Sequence, residues 1–141
     1  MSAHDPTGTL RLHLSRDERL FLNGTVVSLD RRATLSLHAR ASFLRGRNVM
    51  QADEATTPLR GLYFTVQRML LAPDDAASAA LEAGSRSEAL LAAVATPALV
   101  EGLVDAREAL REGRPFAAMR GIKALFPIED RMLGRSEERA A

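Results

Sequence analysis

Few side chains in this sequence could carry chemistry, and their spacing argues against catalysis. The histidines are His4, His13 and His38, and cysteine is absent. A structural or catalytic zinc site draws two to four His, Cys or carboxylate ligands to one point, with pairs commonly a turn apart on one element. Here one histidine lies in the N-terminal stretch and the others fall on separate segments, so no metal site is expected. The carboxylate pairs Asp17-Glu18, Asp53-Glu54, Asp74-Asp75 and Glu129-Asp130 are sequence neighbours. Such neighbours diverge on a strand, and at a helix start they complement the positive end of the helix dipole. No nucleophile elbow, phosphate-cradling glycine loop or H-E-x-x-H pattern occurs. The sequence therefore points to neither an enzyme nor a cofactor carrier.

Arginine is what remains. The chain has 19 basic and 18 acidic residues, and Lys123 is its only lysine. Alanine and arginine richness is what a GC-rich genome encodes, so placement carries the information and totals do not. Between Arg31 and Arg68 stand seven arginines (31, 32, 40, 45, 47, 60 and 68) against Asp53 and Glu54, net +5 in a chain of net charge +1. A cationic region on an otherwise acidic chain attracts a phosphate backbone. Phe43, Tyr63 and Phe64 are the rings interleaved with it, and exposed rings stack on unpaired bases. No recognised RNA-binding signature accompanies them.

The elements that must position these groups follow from periodicity. The 141 residues are 46% hydrophobic, enough for one modest globular unit that buries roughly two thirds of its extended surface. No apolar run is long enough for a membrane span, and residues 1–8 lack the layout of a secretory leader. Together with the lack of cysteine this makes the cytoplasm the expected location. Up to Val66 there are 11 Val or Thr residues and no Ile, while 18 of the 24 alanines lie from Ala72 onward. The fold class expected is α+β: an antiparallel sheet or small barrel over residues 1–71, then a bundle of three to four helices over residues 72–141, together forming one compact unit.

Leu10 to Leu14 alternates strictly, leucines on one face and Arg11 and His13 on the other. Asn23-Gly24 between Arg19–Leu22 and Thr25–Leu29 is a type I′ hairpin signal, and it sets Leu20 opposite Val27 and Leu22 opposite Thr25. Ala33 to Ala39 alternates again, with Leu35 and Leu37 inward and Thr34, Ser36 and His38 outward. A further strand is expected over Ala41–Leu44, a loop over Gly46–Pro58 and another strand over Leu59–Leu71. Pro73-Asp74-Asp75 starts a helix that Gly84 interrupts, Ser85 to Glu88 restarts it to about Ala95, and Thr96-Pro97 opens the next with an N-cap and Pro at N1. That helix and one from Pro115 form an αα-hairpin across Gly113, Pro127 ends or kinks the second, and the charged tail from Arg135 is expected to fray.

Four ordered blocks carry a resemblance to a known family. Asn23-Gly-Thr-Val-Val27, Arg32 to Leu37, Ser42-Phe-Leu-Arg45 with Val49-Met-Gln51, and Glu54-Ala-Thr-Thr-Pro58 followed by Leu62-Tyr63, Gln67 and Met69 resemble the FlbT family of flagellar regulators. There an N-G-A-V segment, an R-x-x-L-x-L strand, an L-R-E-x-D-I-M loop and a T-P-A-x-x-x-Y strand occur in this order. The loop here reads Leu44-Arg-Gly-Arg-Asn-Val-Met50, more basic than that pattern, and Ser28-Leu29 replaces a more polar approach to the turn. Beyond Leu71 the likeness is one of length and layout.

The resemblance implies a non-enzymatic, post-transcriptional repressor that associates with the 5′ untranslated region of flagellin mRNA and lowers its translation or lifetime. The residues expected to contact RNA are Arg31, Arg32, Arg45, Arg47 and Arg60 at phosphates, Tyr63 as a stacking group, and Gln51 or a ring reading bases. The alternative is an adaptor or chaperone for flagellin or the export system that presents the αα-hairpin to a protein partner and acts on mRNA indirectly. Edge strands and leucine-rich helical faces also suit a homodimer.

Overall fold

The computed structural model describes residues 3–4, 9–22, 25–38 and 43–140, those at 3–4 and 135–140 by their backbone alone. The chain divides into two compact units, Met1–Val49 and Met50–Ala141.

The first unit is antiparallel β. Its strands are β1 (Ala3–His4), β2 (Leu10–Leu14), β3 (Leu20–Leu22), β4 (Thr25–Val27), β5 (Ala33–Leu37) and β6 (Phe43–Arg45). They form two three-stranded sheets, ordered β1-β2-β5 and β4-β3-β6. Alternation dictates which side chains meet: Leu12 and Leu14 of β2 and Leu20 of β3 are buried, with Leu10, Leu29, Leu35, Leu37 and Phe43 packed around them. Each buried leucine contributes about 2 kcal/mol, which stabilises so small a unit. The register across β3 and β4 sets Leu20 opposite Val27 and Leu22 opposite Thr25, as the Asn-Gly spacing requires. The turn residues 23 and 24, like residues 39–42 where the last strand was expected to begin, lie outside the described residues. Gly46 follows β6 because its amide donates to Arg19 O at 2.7 Å. A Cβ there would stand 3.0 Å from Arg19 Cβ, so the glycine that departs from the family pattern permits this close approach.

The second unit is helical: α1 (Pro58–Leu71), α2 (Ala76–Ala93), α3 (Pro97–Arg111), α4 (Pro115–Ala124) and α5 (Phe126–Ala140), with short 3₁₀ turns at Ala52–Glu54 and Pro73–Asp75. The α+β class holds, but the strand expected over 59–71 is α1. Leu59, Leu62, Tyr63 and Val66 are buried at i, i+3, i+4 and i+7, the spacing of a helical stripe. Thr57 caps the helix, its hydroxyl accepting from Arg60 N at 3.2 Å, and Pro58 occupies the first turn. Three further expectations are corrected. Helix α2 runs through Gly84 unbroken, since one glycine costs about 1 kcal/mol among so many alanines. Thr96 precedes α3 without a side-chain cap; its hydroxyl lies 3.6 Å from Met132 Sδ. The α5 backbone stays helical through the tail that was expected to fray.

Helix α3 turns back along α4 through Gly113, whose φ of 72° is left-handed and favours glycine. Around α1 pack α2, α4 and α5, and α3 packs on α4 and α2, with Ala79, Ala83, Leu103, Met119 and Ile122 buried.

Candidate nucleic-acid interface

Charge divides with the fold. Residues 1–49 carry eight arginines and four acidic residues, net +4, whereas residues 50–141 carry 11 basic and 14 acidic residues, net −3. The basic stretch read from 31 to 68 is therefore cut between units, and its arginines have different fates.

Arg60 and Arg68 are held by carboxylates. Arg60 makes a two-pronged contact with Asp130, Nη1 to Oδ1 at 2.7 Å and Nη2 to Oδ2 at 3.0 Å, and reaches Glu129 at 3.5 Å. Its guanidinium lies 4.5 Å over the Phe126 ring. The Asp130 hydrogen bond raises the Arg60 pKa against the opposing effect of burial, and Arg60 holds the Asp130 carboxyl below its ordinary range. Arg68 bonds Asp75 at 2.6 Å and Glu82 at 3.0 Å. The Thr65 hydroxyl and then Arg86 and Arg68 keep Glu82 low.

Tyr63, expected as a stacking group, is 4% exposed and stands edge-on to Phe126 at 5.6 Å between centroids. Burial pushes its phenol up. None of the six aromatic residues is exposed. For Tyr63 the reason is the helix: as part of the α1 stripe with Leu59, Leu62 and Val66 it is turned into the core.

Glu129, absent from the sequence-based set, organises this corner. Buried at 8% exposure, it accepts from the Thr57 hydroxyl and from Leu59 N at 2.9 Å. A carboxylate from α5 thus satisfies the first backbone amide of α1, that of Leu59, where the helix dipole also favours negative charge. Gln67 does comparable work: at 3% exposure it donates to Met50 O and accepts from Met50 N, both at 2.8 Å. Gln51 is exposed, and its amide donates to Glu54 Oε1 at 2.9 Å.

On the β unit, Arg45 is buried, donating to His13 O at 2.6 Å with Glu18 Oε2 at 3.9 Å. It fastens β6 to β2, and its guanidinium is committed inside the unit. Arg31 is exposed beside Asp30 at 3.3 Å. Arg32 and Arg47 are exposed and, among the described residues, pair with no acid. The exposed face of β2 and β5 sets Arg11 opposite Ser36 and His13 opposite Thr34, with His13 Nδ1 2.9 Å from Thr34 Oγ1. Of the five arginines and one tyrosine expected at RNA, Arg31, Arg32 and Arg47 thus keep solvent-facing cations, and Arg45, Arg60 and Tyr63 are engaged within the fold.

Among the described residues no three His, Asp or Glu converge as a metal site, and no helix is long and apolar enough to cross a membrane. Fold and site together define a two-unit α+β protein with a cationic β unit and an acidic helical one. The model of the family described as "Flagellar protein FlbT" matches residues 10–133, and the chain belongs to that family. It is 37% identical over 124 residues to "Probable flagellum biosynthesis repressor protein FlbT 2" of Bradyrhizobium diazoefficiens, covering 88% of this chain and 91% of that protein. It is 35% identical over 134 residues to "Probable flagellum biosynthesis repressor protein FlbT" of Chelativorans sp., covering 94% and 92%, and 34% identical over 132 residues to its namesake in Mesorhizobium japonicum, covering 94% and 90%. No solved structure matches.

Proposed function

We propose that this chain is a post-transcriptional repressor of flagellin synthesis that works in the cytoplasm by associating with the 5′ untranslated region of flagellin mRNA. It lowers translation or message lifetime through binding alone. The observation that carries the reading is the net +4 of residues 1–49, with exposed arginines at 11, 31, 32 and 47, in a chain whose relatives bear the name of flagellum biosynthesis repressors. Phosphate contacts give affinity and register, and they make binding dependent on salt.

The test is titration of a labelled flagellin leader RNA with the purified protein at two salt concentrations, beside a scrambled RNA of equal length. With about three phosphates neutralised, log affinity should fall against log salt with a slope of about −2 to −3, and the leader should be preferred. Absence of binding to either RNA at low salt would refute the reading.

A second reading has its own observation. The helical unit exposes Leu81 at 80%, Val104 at 50% and Met132 and Leu133 at about 40% each. These suit a protein partner, whether flagellin, another flagellar regulator or a second copy of the chain, and salt-tolerant binding lost on changing Leu81 would favour it.

A further inference from the structure

We infer that the outward face of β2 and β5 is the RNA-contacting surface, and that it takes base-paired RNA in preference to unpaired bases. This rests on the RNA reading above and names both its surface and its substrate class.

The face is built by alternation. Arg11 and His13 project from β2, Thr34 and Ser36 from β5, and all four are exposed. Arg32 and His38, exposed just beyond the two ends of β5, continue its outward register. Antiparallel pairing sets Arg11 against Ser36 and His13 against Thr34, so the His13 imidazole and the Thr34 hydroxyl lie between the two arginines, and His38 lies beyond Arg11. Ser36, opposite Arg11, stands four residue steps from Arg32, which places the arginine backbones roughly 14 Å apart along the sheet. Neither strand carries an acidic residue. Arg11 and Arg32 have no carboxylate partner among the described residues, unlike Arg16 beside Asp17 and Arg31 beside Asp30. Cations that meet no anion among the described residues complement a polyanion.

The kind of RNA follows from what the face lacks. Proteins that hold single strands supply rings on which bases stack, and sequence-specific readers of loops do the same. All five Phe and the one Tyr are buried or half-buried, so no exposed benzene or phenol ring offers a stacking platform, and the His13 imidazole is engaged with Thr34 Oγ1 at 2.9 Å. The face offers short hydroxyls and imidazoles on a sheet, flanked by arginine. That suits the wide, shallow minor groove of an A-form helix, which displays 2′-hydroxyls between two phosphate rows.

The decisive experiment titrates the full chain with an RNA hairpin whose stem exceeds one helical turn and with an oligouridine strand of equal length. Two variants accompany it: Arg11→Gln/Arg32→Gln, and the charge-matched Arg111→Gln/Arg114→Gln on the helical unit. Thermal melting of each variant checks that it is folded. The expected result is tighter binding of the hairpin, lost at least tenfold in Arg11→Gln/Arg32→Gln with the salt slope reduced by about 2, and retained in Arg111→Gln/Arg114→Gln. Wild-type binding with equal loss in both variants, or with no loss in the first, overturns the assignment of the face and leaves the RNA reading standing. Tighter binding of oligouridine overturns the substrate class. Failure of the wild type to bind any RNA, the flagellin leader included, overturns the RNA reading and this inference together.

Discussion

Glu129 tests whether a carboxylate from the last helix holds the first one in place. Replacing it by alanine removes the acceptor of the Leu59 amide at 2.9 Å and of the Thr57 hydroxyl, and one anion facing Arg60. Leu59 is 2% exposed, so its amide loses a partner where little water can replace it. One orphaned buried donor costs about 1–3 kcal/mol, and loss of a helix cap about 1 kcal/mol. The effects share one side chain and do not simply add, so Glu129→Ala should destabilise by about 2–3 kcal/mol. With a urea m-value of about 2 kcal/mol/M, the unfolding midpoint falls by about 1–1.5 M. Glu129→Gln keeps one carbonyl acceptor and loses the charge, so it should fall between the wild type and alanine. Urea unfolding followed by circular dichroism reads the ranking, and amide exchange at Leu59 and Arg60 locates it. An alanine variant within about 0.5 kcal/mol of wild type, or unchanged protection at Leu59, would show that the cap contributes nothing and that α1 is held by its apolar stripe alone.

Three further outcomes are expected. Gln67→Leu strips both hydrogen bonds from the Met50 backbone, so exchange at the Met50 amide should accelerate and stability fall by about 1–3 kcal/mol; unchanged protection there would contradict the clamp. Gly102→Ala sets a Cβ 2.6 Å from Leu125 Cδ2, so it should lower the melting temperature by an amount equivalent to about 1–3 kcal/mol, whereas a rise, as helix propensity alone predicts, would mean that Leu125 swings clear. Asp130 is held below its ordinary range by Arg60, so its contribution is full above the unfolded carboxylate pKa of about 3.9 and is lost as pH falls through the lower folded value. Stability of the wild type should therefore drop below about pH 4, and the same curve for Asp130→Asn should be flatter; coincident acid limbs would rule the pair out.

Where neighbours in sequence are neighbours in space, the chain was readable. Leu10 to Leu14 and Ala33 to Leu37 alternate because half-buried strands must, and a two-residue Asn-Gly spacing leaves one register for Leu20 and Val27. The αα-hairpin closing at Gly113 was readable for the same local reason. Helix α1 was not: Tyr63, Phe64, Thr65 and Val66 have strand-favouring side chains, and tertiary burial of Leu59, Leu62, Tyr63 and Val66 overrides that weak preference. The signal that could have found it is Thr57-Pro58, the same Thr-Pro dipeptide that precedes α3 at Thr96-Pro97. Arg45 and Arg60 looked like free cations because their partners, His13 O and Asp130, stand 32 and 70 residues away. Spacing reports which charges a segment carries, and only the fold reports which of them are already satisfied.

The contact between Thr57 and Glu129 spans 72 residues of chain. While the protein is being made, the start of α1 leaves the ribosome long before its carboxylate partner is polymerised. At about 5–20 residues per second, the nascent helical unit spends several seconds with the Leu59 amide lacking its carboxylate acceptor. Final closure of this unit waits for α5, so a ribosome that terminates before residue 129 releases a chain whose β strands are all present and whose helical half lacks its clasp.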